Sequence, residues 1–313
     1  MKYRQPIKLL SLKNIVFISF IACVCINNVG HATNTEKIEI TDSHGKWVFD
    51  SPPKRVAVIN WTLSEQLFEL GVEPIAIADL PGFIKTSPQT RVSPISQDLG
   101  SRFTPDLKKL RQLAPELIII GYSQRDLLRP LSNIAPVMYF NNFSRRFDNA
   151  KKADERFLVL AKLFGKTEFA EQRLQHRDQG LNRVTSSLND HFKGDLPQVT
   201  IASIKKDSAW LFLNNSIPFS VAQQLGFKPS GIEKKPSKLG THKVNVKELA
   251  ELDGCILLLN SDPIESVTVK NPHCNHTLLT THAYGGSLSQ LHIAQSIEKA
   301  FYDSHFITTP RNK

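Results

Sequence analysis

Apolar positions along the chain follow two rhythms, a period of two over short runs and a period near 3.6 over longer ones. Ile38 and Ile40 alternate with polar residues, "SHG" at 43–45 turns the chain, and "RVAVIN" at 55–60 is β-rich, so a hairpin and then a buried strand are expected. "TLSEQLFELG" puts Leu63, Leu67 and Leu70 on one helical face and closes on Gly71. "VEPIAIAD" predicts the next strand, "TPDLKKLRQLAP" a short helix, "ELIIIG" a strand, "QRDLLRPLSNIAP" a helix interrupted by Pro130, and "VMYFN" a strand. Strands and helices in this alternation predict an α/β fold with a mainly parallel sheet covered on both faces.

Between Asp148 and Phe192 the strand rhythm disappears. "DNAKKADERFLVLAKLFG" is an amphipathic helix capped by Asp148 and ended by Gly165, and a long polar helix follows with Phe169, Leu174, Leu181, Val184 and Leu188 on a sparse apolar face. Such a helix could bridge two lobes or lie on a surface. The alternation then resumes with "QVTIASI", "AWLFL", a helix around "SIPFSVAQQLG", the run "KELAELDGCILLLN", and a last helix through "SLSQLHIAQSIEKAFY". Both halves carry a helix ending in "LG" and, later, an aliphatic strand, an echo that suggests two similarly built lobes.

The first residues stand outside this pattern. Lys2, Arg4, Lys8 and Lys13 precede the apolar run "NIVFISFIACVCINNVG", and small residues follow at Gly30 to Ala32, so residues 1–32 read as a cleaved secretory signal. An uncleaved anchor and a lipoprotein at Cys23 are the alternatives, the second weakened by Ile21. Removing the signal takes four of the 39 basic residues and none of the 29 acidic ones, which lowers the net charge from +10 to +6. The remaining lysines form only short pairs with no aromatic ladder, so no nucleic-acid partner is expected, while an anionic small ligand stays open. Of four cysteines, Cys255 and Cys274 stay in the mature chain, and their spacing leaves a disulfide between them open.

Three kinds of chemistry can be weighed on the residues. Gly121-Tyr122-Ser123 ends an apolar strand like a nucleophile elbow, but Arg125 stands where the second glycine is required, and no histidine sits in a pattern marking it as a base. "PHCNHTLLTTH" gathers His273, Cys274, His276 and His282 without metal-site spacing or nearby carboxylates, and reads as a loop with scattered histidines. "YGGSLS" at 284–289 lacks the lysine of a phosphate loop and reads as a tight start to the last helix, with backbone N–H groups that could meet an anion. What remains is a group placed just past the strand ends: Trp61, Phe83, Arg102, Tyr122, and His282 with Tyr284 before the last helix. Open parallel sheets bind ligands at that edge, and aromatic walls with one arginine suit a bulky ligand with exposed oxygen acceptors.

At these residues the sequence resembles the periplasmic substrate-binding proteins for iron–siderophore complexes and cobalamin, the ferric hydroxamate (ferrichrome-type) binders above all. "PKRVAVINWTLSEQLFELGVEPIAIAD", "DLGSRFTPDLKKLRQLAPELIIIGYS" and "AYGGSLSQLHIAQSIEKA" carry the resemblance in order and spacing. It implies a class III periplasmic binding architecture: two Rossmann-like α/β lobes, 33–165 and 193–313, joined by a single long helix at 166–192. It further implies a monomeric periplasmic component of an ABC importer, with a ferric hydroxamate siderophore as ligand, an inner-membrane permease as partner, no catalysis and no resident cofactor or metal. Arg102 and Tyr122 match the residues that hydrogen-bond the iron-coordinating oxygens, and Trp61 matches an aromatic wall. Asp126 is close to the first of two acidic docking positions; Ser220 stands at the second. Leu239 and His282 replace second-lobe tryptophans, with Lys238 and His242 nearby, a shift toward a more polar pocket. Haem in the same fold and a serine hydrolase using Ser123 are the competing readings.

Overall fold

The computed structural model describes residues 37–88, 90–229, 234–252, 254–259, 275–278 and 285–303. A hairpin, β1 (Ile38–Thr41) and β2 (Lys46–Phe49), precedes the first lobe. Its sheet has the order β5-β4-β3-β6-β7, with β3 Val56–Val58, β4 Ala76–Ile77, β5 Gln97–Asp98, β6 Leu117–Gly121 and β7 Val137–Phe140, all parallel. The period of two sorts the side chains cleanly. Val56, Val58, Leu117, Ile119, Met138 and Phe140 face one core, whereas Ala57, Ile59, Ile118, Ile120, Val137 and Tyr139 face the other. Chain order runs outward from β3 in both directions, so the switch point lies between β3 and β6.

The connecting helices are α1 (Trp61–Glu69), α2 (Leu80–Thr86), α3 (Leu107–Gln112) and α4 (Leu128–Ser132). The helix expected over "QRDLLRPLSNIAP" divides into a 3-10 turn, Tyr122–Leu127, followed by α4. Pro130 falls in the first turn of α4, where the missing N–H has no intrahelical acceptor, so it opens a helix that the sequence expectation had it interrupt.

Helix α5 (Asn149–Leu163) is capped by Asp148, which accepts from Ala150 N and Lys151 N. Helix α6 (Thr167–His191) then carries the chain between the lobes. Its Ala170, with Leu174 beside it, packs in the first lobe's core, and Leu181, Val184 and Leu188 pack in the second's. Phe169, expected on the apolar face, is exposed. Helix α5 spans the joint as well, with Ala150 and Ala153 in the second core and Phe157, Leu160 and Leu163 in the first.

The second lobe's sheet has the order β11-β9-β8-β12-β13, with β10 also paired to β8: β8 Gln198–Lys205, β9 Ser208–Phe212, β10 Lys228–Pro229, β11 Thr241–Asn245, β12 Cys255–Leu259 and β13 Asn275–Leu278. The sheet is mainly parallel, as expected, with one exception: β9 is antiparallel to both β8 and β11. Strand β13 also corrects the loop expected over "PHCNHTLLTTH": it runs parallel to β12, with His276 opposite Leu257. Helix α7 (Ile217–Gln224) is capped by Ser216, and α8 (Ser289–Asp303) covers the sheet through Ile293, Ala294, Ile297 and Phe301. Cys255 is disulfide-bonded; Cys274 lies outside the described residues.

Helices α1 and α8 meet across the lobes through carboxylates. Buried Glu65 accepts from Gly286 N and from the Ser289 hydroxyl at the start of α8. Glu69 accepts from the Leu288 N–H, while its Oε2 is buried without a hydrogen-bond partner. Burial first, and then the nearby Glu65 carboxylate, push the Glu69 carboxyl well above the usual glutamate range, against the pull of Leu288 N–H, Arg173 and Arg177. The anion that "YGGSLS" meets is thus the chain's own. A Cβ on Gly286 would lie 2.8 Å from Gln66 Cγ and 3.1 Å from Glu69 Oε2, so only glycine lets the two elements approach this closely.

Candidate functional site

The site forms where β3 and β6 end side by side. Asn60, the residue after the β3 run, caps α1 by accepting from Leu63 N and sets Trp61 as the first helical residue. Its amide also donates to Gln124 Oε1 at 3.1 Å and accepts from Asn142 Nδ2 at 3.3 Å. Asn142 Oδ1 in turn accepts from Tyr122 N at 2.8 Å. All three amides are buried, so this lattice ties the ends of β3, β6 and β7 together and fixes the backbone of Tyr122. Gly121 makes room for it: a Cβ there would lie 2.4 Å from Asn60 Nδ2 and 2.9 Å from Asn142 Oδ1.

Arg102 comes from the loop after β5. Asp98 Oδ1 accepts from Leu80 N and Gly100 N at 3.0 Å each, and Asp79 N donates to Gly100 O at 2.6 Å, which stitches the loops after β4 and β5 together. Arg102 is thereby carried over Trp61, its guanidinium carbon 3.5 Å from the ring centroid. Its Nε lies 3.7 Å from Asp79 Oδ2, an ion pair beyond hydrogen-bond reach. Burial lowers the guanidinium below its ordinary value, and Asp79 opposes that. With one face on the indole and only a long pairing to Asp79, the fork keeps donors for a ligand.

Behind the indole, Trp61 Nε1 donates to Ala78 O at 3.1 Å, and Phe83 packs on the ring edge at 6.4 Å. Phe83 is fully buried, which corrects its expected place in the ligand wall: it backs Trp61 and stacks on Phe68 instead. Tyr122 is half-buried and the second lobe reaches it, with Lys238 Nζ 4.1 Å from its ring centroid. Lys238 is steadied by its carbonyl, which accepts from Asn149 Nδ2 at 3.1 Å; the same amide donates to Asn215 O at 2.7 Å. The structure therefore gathers Trp61, Arg102 and Tyr122 from the first lobe, with Lys238 from the second. His282 and Tyr284 lie outside the described residues. Sequence reasoning did not single out the Asn60–Gln124–Asn142 lattice, whose only local sign is an asparagine two residues past the end of each of two apolar strands.

Ser123 is exposed on the 3-10 turn, and Asp126 is exposed one turn farther on. Ser220 donates to Asp148 Oδ1 at 3.0 Å, so an exposed carboxylate stands beside the serine. Among the described residues no group of three or more His, Cys, Asp or Glu could hold a metal ion, and no helix is long and apolar enough to cross a membrane.

No protein-family model matches the chain. The Fe3+–Desferal-bound siderophore binding protein FhuD from Vibrio cholerae shares 31% identity and a TM-score of 0.74, covering 79% of this chain and 97% of its own. The chain belongs to the siderophore-binding proteins. Within that family it is also 23% identical over 239 residues to the Fe(3+)-citrate-binding protein YfmC of Bacillus subtilis (strain 168), 75% of this chain and 72% of that one. The putative ABC transporter substrate-binding lipoprotein YhfQ of the same organism is 24% identical over 263 residues, 82% and 77% of the two chains. These relatives are substrate-binding proteins, and the two-lobed α/β fold of the chain is that of the Vibrio cholerae protein.

Proposed function

We propose that the protein is the ferric-siderophore-binding component of an ABC importer, that it works in the periplasm as a monomer, and that hydroxamates are its preferred class. The observation that carries this reading is the Arg102 guanidinium 3.5 Å over the Trp61 ring, with Trp61 and Tyr122 following β3 and β6, the two strands at the switch point of the first sheet. Iron-bound hydroxamate oxygens are electron-rich acceptors on a compact, otherwise apolar core. A charged fork with free N–H groups and a neutral phenol O–H match them, and the indole lies against the carbon skeleton. The relative of known structure at 31% identity holds Fe3+–Desferal, a ferric hydroxamate. Lys238 over Tyr122 adds a second positive charge and extends the preference toward complexes that keep a free carboxylate. Asp126 is the proposed first-lobe contact to the permease, and iron enters only as cargo.

The test is tryptophan quenching of the mature protein by ferrioxamine, ferrichrome, ferric aerobactin, a ferric catecholate and haem in parallel. Saturable quenching by the hydroxamates at the lowest concentrations supports the reading. Saturation by haem or the catecholate alone would keep the fold and replace the ligand.

A further inference from the structure

A cavity of about 550 Å³ lies in the first lobe, between the hairpin turn, the end of β7 and one stripe of α5. That stripe is Lys152, Glu155, Arg156 and Val159, the i, i+3, i+4, i+7 set of one helical face. Facing it are Asp42 in the hairpin turn and Arg125 from the 3-10 turn.

The cavity's two carboxylates are already engaged. Asp42 accepts from His44 N, Gly45 N and Tyr139 N, and Glu155 pairs with Lys152. Its arginines are not. Arg156 is only 7% exposed, yet its Nε and Nη2 are buried with no hydrogen-bond partner. Asp154 and Glu155 act on it through charge alone, and burial pushes its guanidinium down to about 10, so it is still a cation at neutral pH. Arg125 makes no ion pair among the described residues. A buried guanidinium with two open donors is costly to keep, and in native proteins such groups are met by water, an ion or a ligand. Two arginines converging on one cavity specify the ligand's chemistry, because their forks match carboxylate or phosphate oxygens.

We propose that this cavity is a second binding site, for a small polyvalent oxyanion bearing carboxylate or phosphate oxygens. Its lining includes none of Trp61, Arg102, Tyr122 and Lys238. Arg102 follows β5 and Arg125 follows β6, three steps of the sheet or about 14 Å apart at about 4.8 Å per strand.

Isothermal titration of the mature protein with citrate, inorganic phosphate and acetate at constant ionic strength tests it. Saturable binding of citrate or phosphate, at least about tenfold tighter than acetate, is expected, and which of the two saturates first names the source. Arg125→Gln should weaken that binding about tenfold or more. Arg156→Lys, which keeps the charge and removes the fork, should weaken it too. Arg111→Gln, which deletes an exposed arginine elsewhere, should not. Arg125 is on the surface, so its variant decides the matter even if Arg156→Lys fails to fold. No saturable binding, equal affinity for acetate, or equal weakening by Arg111→Gln would each overturn the proposal.

Discussion

Arg102 is held by an aromatic face on one side and a 3.7 Å ion pair on the other, so its main hydrogen bonds are still to be made. Arg102→Ala should therefore weaken ferric hydroxamate binding by about 1.5–3 kcal/mol, the usual worth of hydrogen bonds to a charged group. The quenching titration measures this directly, and unchanged affinity would remove Arg102 from the site. Gly121 makes the opposite kind of contribution, by lacking atoms. Gly121→Ala drives a methyl into the Asn60–Asn142 lattice and should cost about 1–3 kcal/mol of stability, read by denaturant unfolding, with ligand affinity falling as Tyr122 shifts. Asp126, exposed and outside the pocket, should separate transport from binding: Asp126→Asn is expected to slow uptake in cells while leaving the titration curve in place.

Among elements, the joint between α1 and α8 has a definite pH signature. Because the Glu69 carboxyl is raised in the folded protein, the native state holds a proton that the unfolded chain releases above the ordinary glutamate range. Stability from this group is full at low pH and is lost as pH rises through the folded value. Glu69→Gln should thus raise the melting temperature more at about pH 8 than at about pH 5. The elements themselves were legible in unequal measure. The first sheet's runs are apolar on both faces, so "VAVI" and "LIII" announced buried parallel strands. Helix α2 was hidden because it begins Leu80-Pro81-Gly82, which reads as a turn, and because its cap Asp79 adopts φ 52°. The β8–β9 hairpin was hidden because Lys206 takes φ 52° where glycine or asparagine would have flagged the turn. Position after a strand end picked out Trp61 and Arg102, which the structure brings into contact, Tyr122, which it places at the end of β6, and Phe83, which it buries behind Trp61, since burial depends on neighbours that no local pattern shows.

At the scale of the molecule, α5 and α6 both have one end in each core, so opening the cleft would strip apolar surface from two helices at once. Ligand loading should accordingly leave the radius of gyration unchanged within the precision of small-angle X-ray scattering, and a clear contraction on adding ferrioxamine would count against a stiff joint. The carboxylate contact between α1 and α8 bears on how the chain comes to be folded. Glu65 meets Ser289 across 224 positions of sequence, so the first lobe's opening helix finds this partner only once the chain has been made as far as α8. A growing chain lacks that contact until α8 has been made, and closing so long a loop is slow. A chain made only as far as the second sheet therefore has both sheets but not the tie between its first and last long-range partners, which is the final contact to form.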